Sequence, residues 1–143
     1  MPAKRTVQAL DGWDTFDEFF SGTMLYKATF DLPQGICGDG AELSLGDVRE
    51  VARVRLNGRD LGVRLMAPYC LDVPHGVLIE KGNVVEVEVT NLGANRLRWN
   101  DLSGVRWKYF SDINMVGADY KPLDASKWKP FKSGLLGPVE LRW

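Results

Sequence analysis

VRLNGRDLGV, residues 54–63, reads as two short strands hinged at Asn57-Gly58. A two-residue hairpin loop of type I′ needs positive φ at both central positions, which Asn and Gly tolerate best. Pairing outward from that loop sets Leu56 opposite Arg59, Arg55 opposite Asp60, Val54 opposite Leu61 and Ala52 opposite Val63. Side chains alternate between faces of a strand. Leu56, Val54, Ala52, Leu61 and Val63 therefore share an apolar side, and Arg53, Arg55, Asp60 and Arg64 a charged one. An Arg55 and Asp60 contact contributes only ~0.2–1 kcal/mol, so burial of the apolar side is what the hairpin is for.

The same alternation recurs on either side of the hairpin. YKATFDL aligns Tyr26, Ala28, Phe30 and Leu32, and AELSL aligns Leu43 and Leu45. NVVEVEVTN turns Val85, Val87 and Val89 one way and Glu86 and Glu88 the other, and VELRW aligns Val139, Leu141 and Trp143. These are half-buried strands. Gly and Pro punctuate the intervals at LPQGICGDG, MAPY, VPHG and EKGN, and no segment longer than about ten residues keeps a 3.6-residue period. Short strands with turn signals at this spacing predict an all-β fold, an antiparallel β-sandwich or jelly roll.

A length of 143 residues is that of one domain, large enough to bury a core without disulfides or metal. Net charge −1 gives no electrostatic pointer to nucleic acid or a membrane surface. No apolar run approaches the roughly 18 residues of a membrane span, and the opening MPAKRTVQALDGWDTF has no apolar signal-peptide core. Cys37 and Cys70 form no metal-ligand spacing and at most one bridge; free thiols are expected.

Between Gly93 and Gly134 the alternation fails for some forty residues, longer than an ordinary connection, so 93–134 reads as a long loop region able to carry function. Within it DASKW predicts one helical turn capped by Asp124. Trp99, Trp107 and Trp128, three of the five tryptophans, fall there. The run NRLRWNDLSGVRWKYF interleaves Arg96, Arg98, Arg106 and Lys108 with aromatic rings, as platforms for single-stranded nucleic acid do. A sequence pI near 5.8 and the lack of a second basic stripe oppose that reading. Sugar suits the same residues, since pyranoses offer C–H faces to rings and hydroxyls to Asn and Arg. The structural alternative is that these aromatics pack the loop onto the sandwich.

Nucleophilic hydrolase chemistry finds no support: His75 is the single histidine, in a Pro-His-Gly turn, and no G-x-S-x-G element occurs. One His and two separated Cys cannot furnish zinc. The glycines of GICGDG lie between two strands and open no helix, so they read as a loop and not as a phosphate cradle. Sequence alone nominates no pair of carboxylates for glycoside hydrolysis.

Four blocks in order, SGTMLYKATFDLP, LSLGDVREVARVRLNGRDLGVRLMAPYCLDV, KGNVVEVEVTNLGANRL and SGLLGPVEL, resemble the galactose-binding-like β-sandwich of glycoside hydrolases, as in family 2 enzymes and the C-terminal region of family 106 rhamnosidases. The resemblance runs from about residue 21 to the end. It implies a noncatalytic accessory domain attached to a separate catalytic barrel of roughly 250 residues, with that domain or a glycan as partner. It also implies an extracellular or periplasmic home. The alternative is a self-sufficient carbohydrate-binding module. Tyr69, Asn91, Asn95, Arg96, Trp99, Trp107 and Trp128 are the carbohydrate-binding candidates, and Arg53, Arg55 and Arg64 the interdomain ones. Where relatives often place a tryptophan after the hairpin, this chain has Leu65-Met66-Ala67-Pro68-Tyr69. The block Thr90 to Leu97 is intact, and in relatives such Asn and Arg side chains order the adjoining loops. Sandwiches of this kind often carry structural calcium, but no compact Asp and Asn run supplies its six to eight oxygens, so no cofactor is expected.

Overall fold

The hairpin forms with the expected turn: Asn57 and Gly58 stand at φ +51° and +77°. It joins β5 (Val51–Leu56) to β6 (Arg59–Arg64). The computed structural model describes residues 4–7, 12–15, 17–34, 40–109 and 116–143. Cys37 and most of the 35–40 glycine loop lie outside them, and Cys70 is a free thiol.

Away from the turn the register departs from the simple ladder. Leu56 pairs with Arg59 and Arg55 with Asp60, but a bulge comes next, and Val54 pairs with Gly62, Arg53 with Val63 and Ala52 with Arg64. Leu61 is the extra residue, and the shift reverses the facing of the β6 residues beyond it. Gly62, at φ +108°, makes the bulge possible, and Asp60 Oδ1 accepts the Gly62 N–H at 2.9 Å. Val63 is accordingly 45% exposed instead of buried. Arg64 leaves the charged face and donates from Nε to the Cys70 carbonyl at 2.7 Å. The ion pair at the hairpin also differs from expectation, since Asp60 pairs with Arg53 at 2.6 Å while Arg55 reaches Glu88 at 3.5 Å.

Further strands are β1 (Lys4–Val7), β2 (Thr23–Phe30), β3 (Glu42–Ser44), β4 (Asp47–Arg49), β7 (Cys70–Asp72), β8 (Asn83–Thr90), β9 (Gly134–Gly137) and β10 (Val139–Arg142). They build two four-stranded sheets, ordered β1-β10-β3-β7 and β2-β8-β5-β6, with a short β4-β9 pair. Every pairing within the two large sheets is antiparallel, making an antiparallel β-sandwich. Val85, Val87 and Val89 of β8 and Ala52, Val54 and Leu56 of β5 meet Leu43, Leu71, Val139 and Leu141 across it. Each Val or Leu among them, buried fully, stabilises by ~1.5–3 kcal/mol.

Two polar devices close the ends of the sandwich. Asn57 does more than turn: its Nδ2 donates to the Val77 carbonyl and Asn83 Oδ1, and its Oδ1 accepts the Val84 N–H. Asn83, fully buried, answers by binding Ile79 N–H and carbonyl. At the other end Trp13 packs parallel to Tyr26, rings 6.3 Å apart, and edge-on to Phe20 at 5.1 Å. The Tyr26 hydroxyl accepts from Trp13 Nε1 and from the Leu135 N–H.

The described residues of the 93–134 interval include regular elements. They hold α1 (Ala94–Leu102), a Val116 to Pro122 bridge and the 3-10 turn Ala125–Lys127. Asp124 caps that turn, accepting from the Ser126 N–H, as DASKW predicts.

Candidate functional site

Helix α1 has no apolar stripe, and the reason is that it docks through polar side chains. Asn95, Arg98 and Asp101, three apart and thus on one side of the helix, each tie it to a different segment. Asn95, 1% exposed, donates to the Phe131 carbonyl and accepts the Phe131 N–H. Arg98 donates to the Trp128 carbonyl at 2.8 Å and to Glu18 Oε2 at 2.8 Å, with its guanidinium 5.1 Å over the Phe19 ring. Asp101 accepts from Trp107 Nε1 at 2.6 Å, from Lys108 Nζ at 2.9 Å and from the Ala125 N–H at 2.8 Å. Burial alone would raise the Asp101 pKa, but these bonds together outweigh it and hold the carboxyl below the ordinary carboxylate range.

Asn91 performs the matching task at the end of β8. Its Nδ2 donates to the Phe20 carbonyl and to Ser133 Oγ, and its Oδ1 accepts the Gly22 N–H. Asn95 shares Ser133 Oγ at 3.4 Å, and Trp13 N–H bonds the Ser133 carbonyl at 2.9 Å. Ser133, itself buried, is where three segments meet.

Between residues 17–21 and α1 these ties leave a cleft of about 470 Å³, lined by Asp17, Phe19, Phe20, Ser21, Arg96 and Trp99. Arg96 lies 4.3 Å over the Trp99 ring. Ser21 Oγ donates to the Leu92 carbonyl, and Asp17 Oδ1 accepts the Phe19 N–H at 3.0 Å. These bonds order residues on the wall opposite α1, and the lining combines rings, a cation and a carboxylate, the functional groups that suit a sugar.

Of the candidates read from sequence, the structure brings Arg96 and Trp99 into this cleft. Asn91 and Asn95 stand behind it as clamps. Tyr69 is a correction: it is 8% exposed, its hydroxyl donates to the Glu50 carbonyl at 2.6 Å, and its ring fills the core instead of offering a stacking face. Trp107 belongs to a separate hollow of about 220 Å³ with Arg106 and Asp101. Trp128 packs edge-on against Phe131 at 6.0 Å. Arg53 and Arg55 stand on the outer face in ion pairs, and Arg64 is held at the Cys70 carbonyl. Asp17, Phe19, Phe20 and Ser21 escaped the sequence reading. Among the described residues no group of three or more His, Cys, Asp or Glu gathers as a metal site, and no helix is long and apolar enough to cross a membrane.

No family model matches the chain. It is 33% identical over 142 aligned residues to a provisionally named β-glucuronidase of Formosa agariphila, an alignment spanning 87% of this chain and 12% of that protein. Among solved structures it is similar to a rhamnosidase from Novosphingobium sp. PP1Y, with TM-score 0.68 and 27% identity, over 98% of this chain and 15% of the rhamnosidase. A β-glucuronidase of glycoside hydrolase family 2 shares the fold at TM-score 0.57 and 22% identity, over 92% of this chain and 12% of that one. Over most of its length, then, this chain is similar to a short portion of large glycoside hydrolases.

Proposed function

We propose that the chain is a noncatalytic accessory domain of a glycoside hydrolase, a single β-sandwich of the galactose-binding-like kind. It supports a separate catalytic domain and contacts glycan at the cleft formed by residues 17–21 and α1. The observation that carries this reading is the match of nearly the whole chain to only 12–15% of much larger hydrolases. Arg53 and Arg55, on the outer face beside exposed Leu25 and Val63, are the residues proposed to meet the catalytic domain. Export with the parent enzyme, to the periplasm or beyond the cell, goes with the reading.

The test assays the 143-residue protein against nitrophenyl rhamnoside and glucuronide. No turnover is expected. Turnover that persists through purification and disappears on substituting a single carboxylate would overturn the noncatalytic assignment. A second reading, a self-sufficient carbohydrate-binding module, is favoured by the cleft walls being locked by Arg98 and Glu18 within this chain. Tryptophan-fluorescence titration with isolated glycans tests the cleft contact that both readings share, and addition of a glycoside hydrolase catalytic domain separates them, because a supporting domain binds it and raises its Tm whereas a self-sufficient module leaves that Tm unchanged.

A further inference from the structure

The cleft beside α1 carries one cation and one carboxylate on its lining, Arg96 and Asp17, and among the described residues neither forms an ion pair. Arg98 is paired with Glu18, but Arg96 holds its Cζ 4.3 Å over the Trp99 ring, and among the described residues no carboxylate or carbonyl accepts its N–H groups. A guanidinium over a ring and without an acceptor has its N–H groups available, and their planar fork matches a carboxylate in a bidentate pair. Stacking also restricts the side chain beforehand, so less freedom is lost on pairing. The lining is polar for the larger part, and Phe19, Phe20 and Trp99 supply its smaller apolar share, on which a C–H face of a pyranose packs. Asp17 is exposed on the same lining, with Oδ1 already turned to the Phe19 N–H. A carboxylate placed against Asp17 is repelled, whereas a hydroxyl there is accepted, so the cleft distinguishes the two ends of a sugar acid. Its volume of about 470 Å³ accommodates one such residue.

We propose that the cleft is a subsite for a hexuronate, with the ligand carboxylate on Arg96, its hydroxyls toward Asp17 and its ring against the aromatic lining. This rests on the reading of the cleft as a glycan contact and adds the substrate class. Free uronic acid and a uronate residue within a glycan share this chemistry, and monomeric and oligomeric probes separate them.

The intact protein is titrated by calorimetry and tryptophan fluorescence with sodium glucuronate, sodium galacturonate, an oligogalacturonate, methyl glucoside and sodium acetate. Expected is saturation by the uronates at least about tenfold tighter than by methyl glucoside, weakening severalfold in 0.5 M salt, with no saturation by acetate. Oligogalacturonate binding as tight as the monomer, or tighter, assigns a uronate within a glycan; monomer alone assigns the free acid, and either supports the subsite. Arg96→Gln abolishes the preference for uronate. Arg96→Lys, which keeps the charge and loses the fork, gives up most of it. Arg96 is exposed, so both variants retain the parent Tm and circular dichroism. Methyl glucoside binding as well as glucuronate overturns the uronate assignment and leaves the glycan contact standing. Acetate binding as well as glucuronate also overturns it, by showing a bare anion site. Saturation by none of the probes removes the subsite and the glycan contact together and leaves the noncatalytic assignment, judged by the turnover assay, standing.

Discussion

At Gly134 the backbone sits at φ +105°, and a Cβ built there would lie 2.7 Å from the Tyr26 hydroxyl and 2.9 Å from Trp13 Nε1. The position demands both the conformation and the missing side chain. Gly134→Ala is expected to destabilise the protein by roughly 2–3 kcal/mol, read from the urea midpoint. Tyr120 presents the opposite case. It occupies φ +58° at the end of the 117–121 turn, where Gly or Asn is usual, and its side chain is 80% exposed. With no packing there to offset the strained backbone, Tyr120→Asn is expected to raise stability by ~0.5–1 kcal/mol in the same measurement. At this scale the sequence was legible where one residue type has one use: Asn57-Gly58 specified the turn and Asp124 the cap. It was less so at Gly62, whose place inside an alternating strand is a bulge signal. A ladder counted outward from the turn without that bulge places Val63 on the apolar face and Arg64 on the charged one, and the extra residue reverses both.

Helix α1 shows why an element can hide in a sequence. Apolar periodicity finds helices that dock through an apolar stripe, whereas Asn95, Arg98 and Asp101 dock this one through hydrogen bonds to Phe131, Trp128, Glu18, Trp107, Lys108 and Ala125. The repeat Asn-x-x-Arg-x-x-Asp was the available signal. Asp101→Asn is expected to cost about 1–3 kcal/mol, because Lys108 loses its half-buried counter-charge while Trp107 and Ala125 keep at most one good acceptor. The pH dependence comes from the depressed pKa of the folded state. Protonation is harder folded than unfolded, so the stability Asp101 contributes is fully present above the ordinary carboxylate pKa and is lost as pH falls below about 4 and through the lower folded value. Urea midpoints measured from pH 7 to pH 3 should therefore drop less steeply in Asp101→Asn than in the parent. An equal slope in both would show that Asp101 titrates alike folded and unfolded.

Across the whole molecule, β8 and β5 each have partners on both sides, while 116–124 is secured by one bridge and a turn. Amide hydrogen exchange should accordingly be slowest along Val85, Val87 and Val89, opening only with global unfolding, and fast in 116–124. The outer face joins Lys27 to Glu86, Arg53 to Asp60 and Arg55 to Glu88. As exposed pairs these contribute little, so 0.5 M salt is expected to move the urea midpoint by less than about 1 kcal/mol equivalent. The layered architecture was legible because alternation is local and each strand announces itself. The cleft was not, because it joins residues 17–21 to Arg96 and Trp99, and the Arg98 to Glu18 pair that shapes it spans 80 positions. Ser133 has a last bearing on how the cleft behaves: one buried hydroxyl serves the clamps behind both walls, and its carbonyl anchors Trp13. Ser133→Ala would therefore loosen both walls from behind while leaving every lining residue in place, and anything that stiffens the cleft should slow amide exchange at the entry to β9, more than a hundred positions away in sequence from four of the six lining residues.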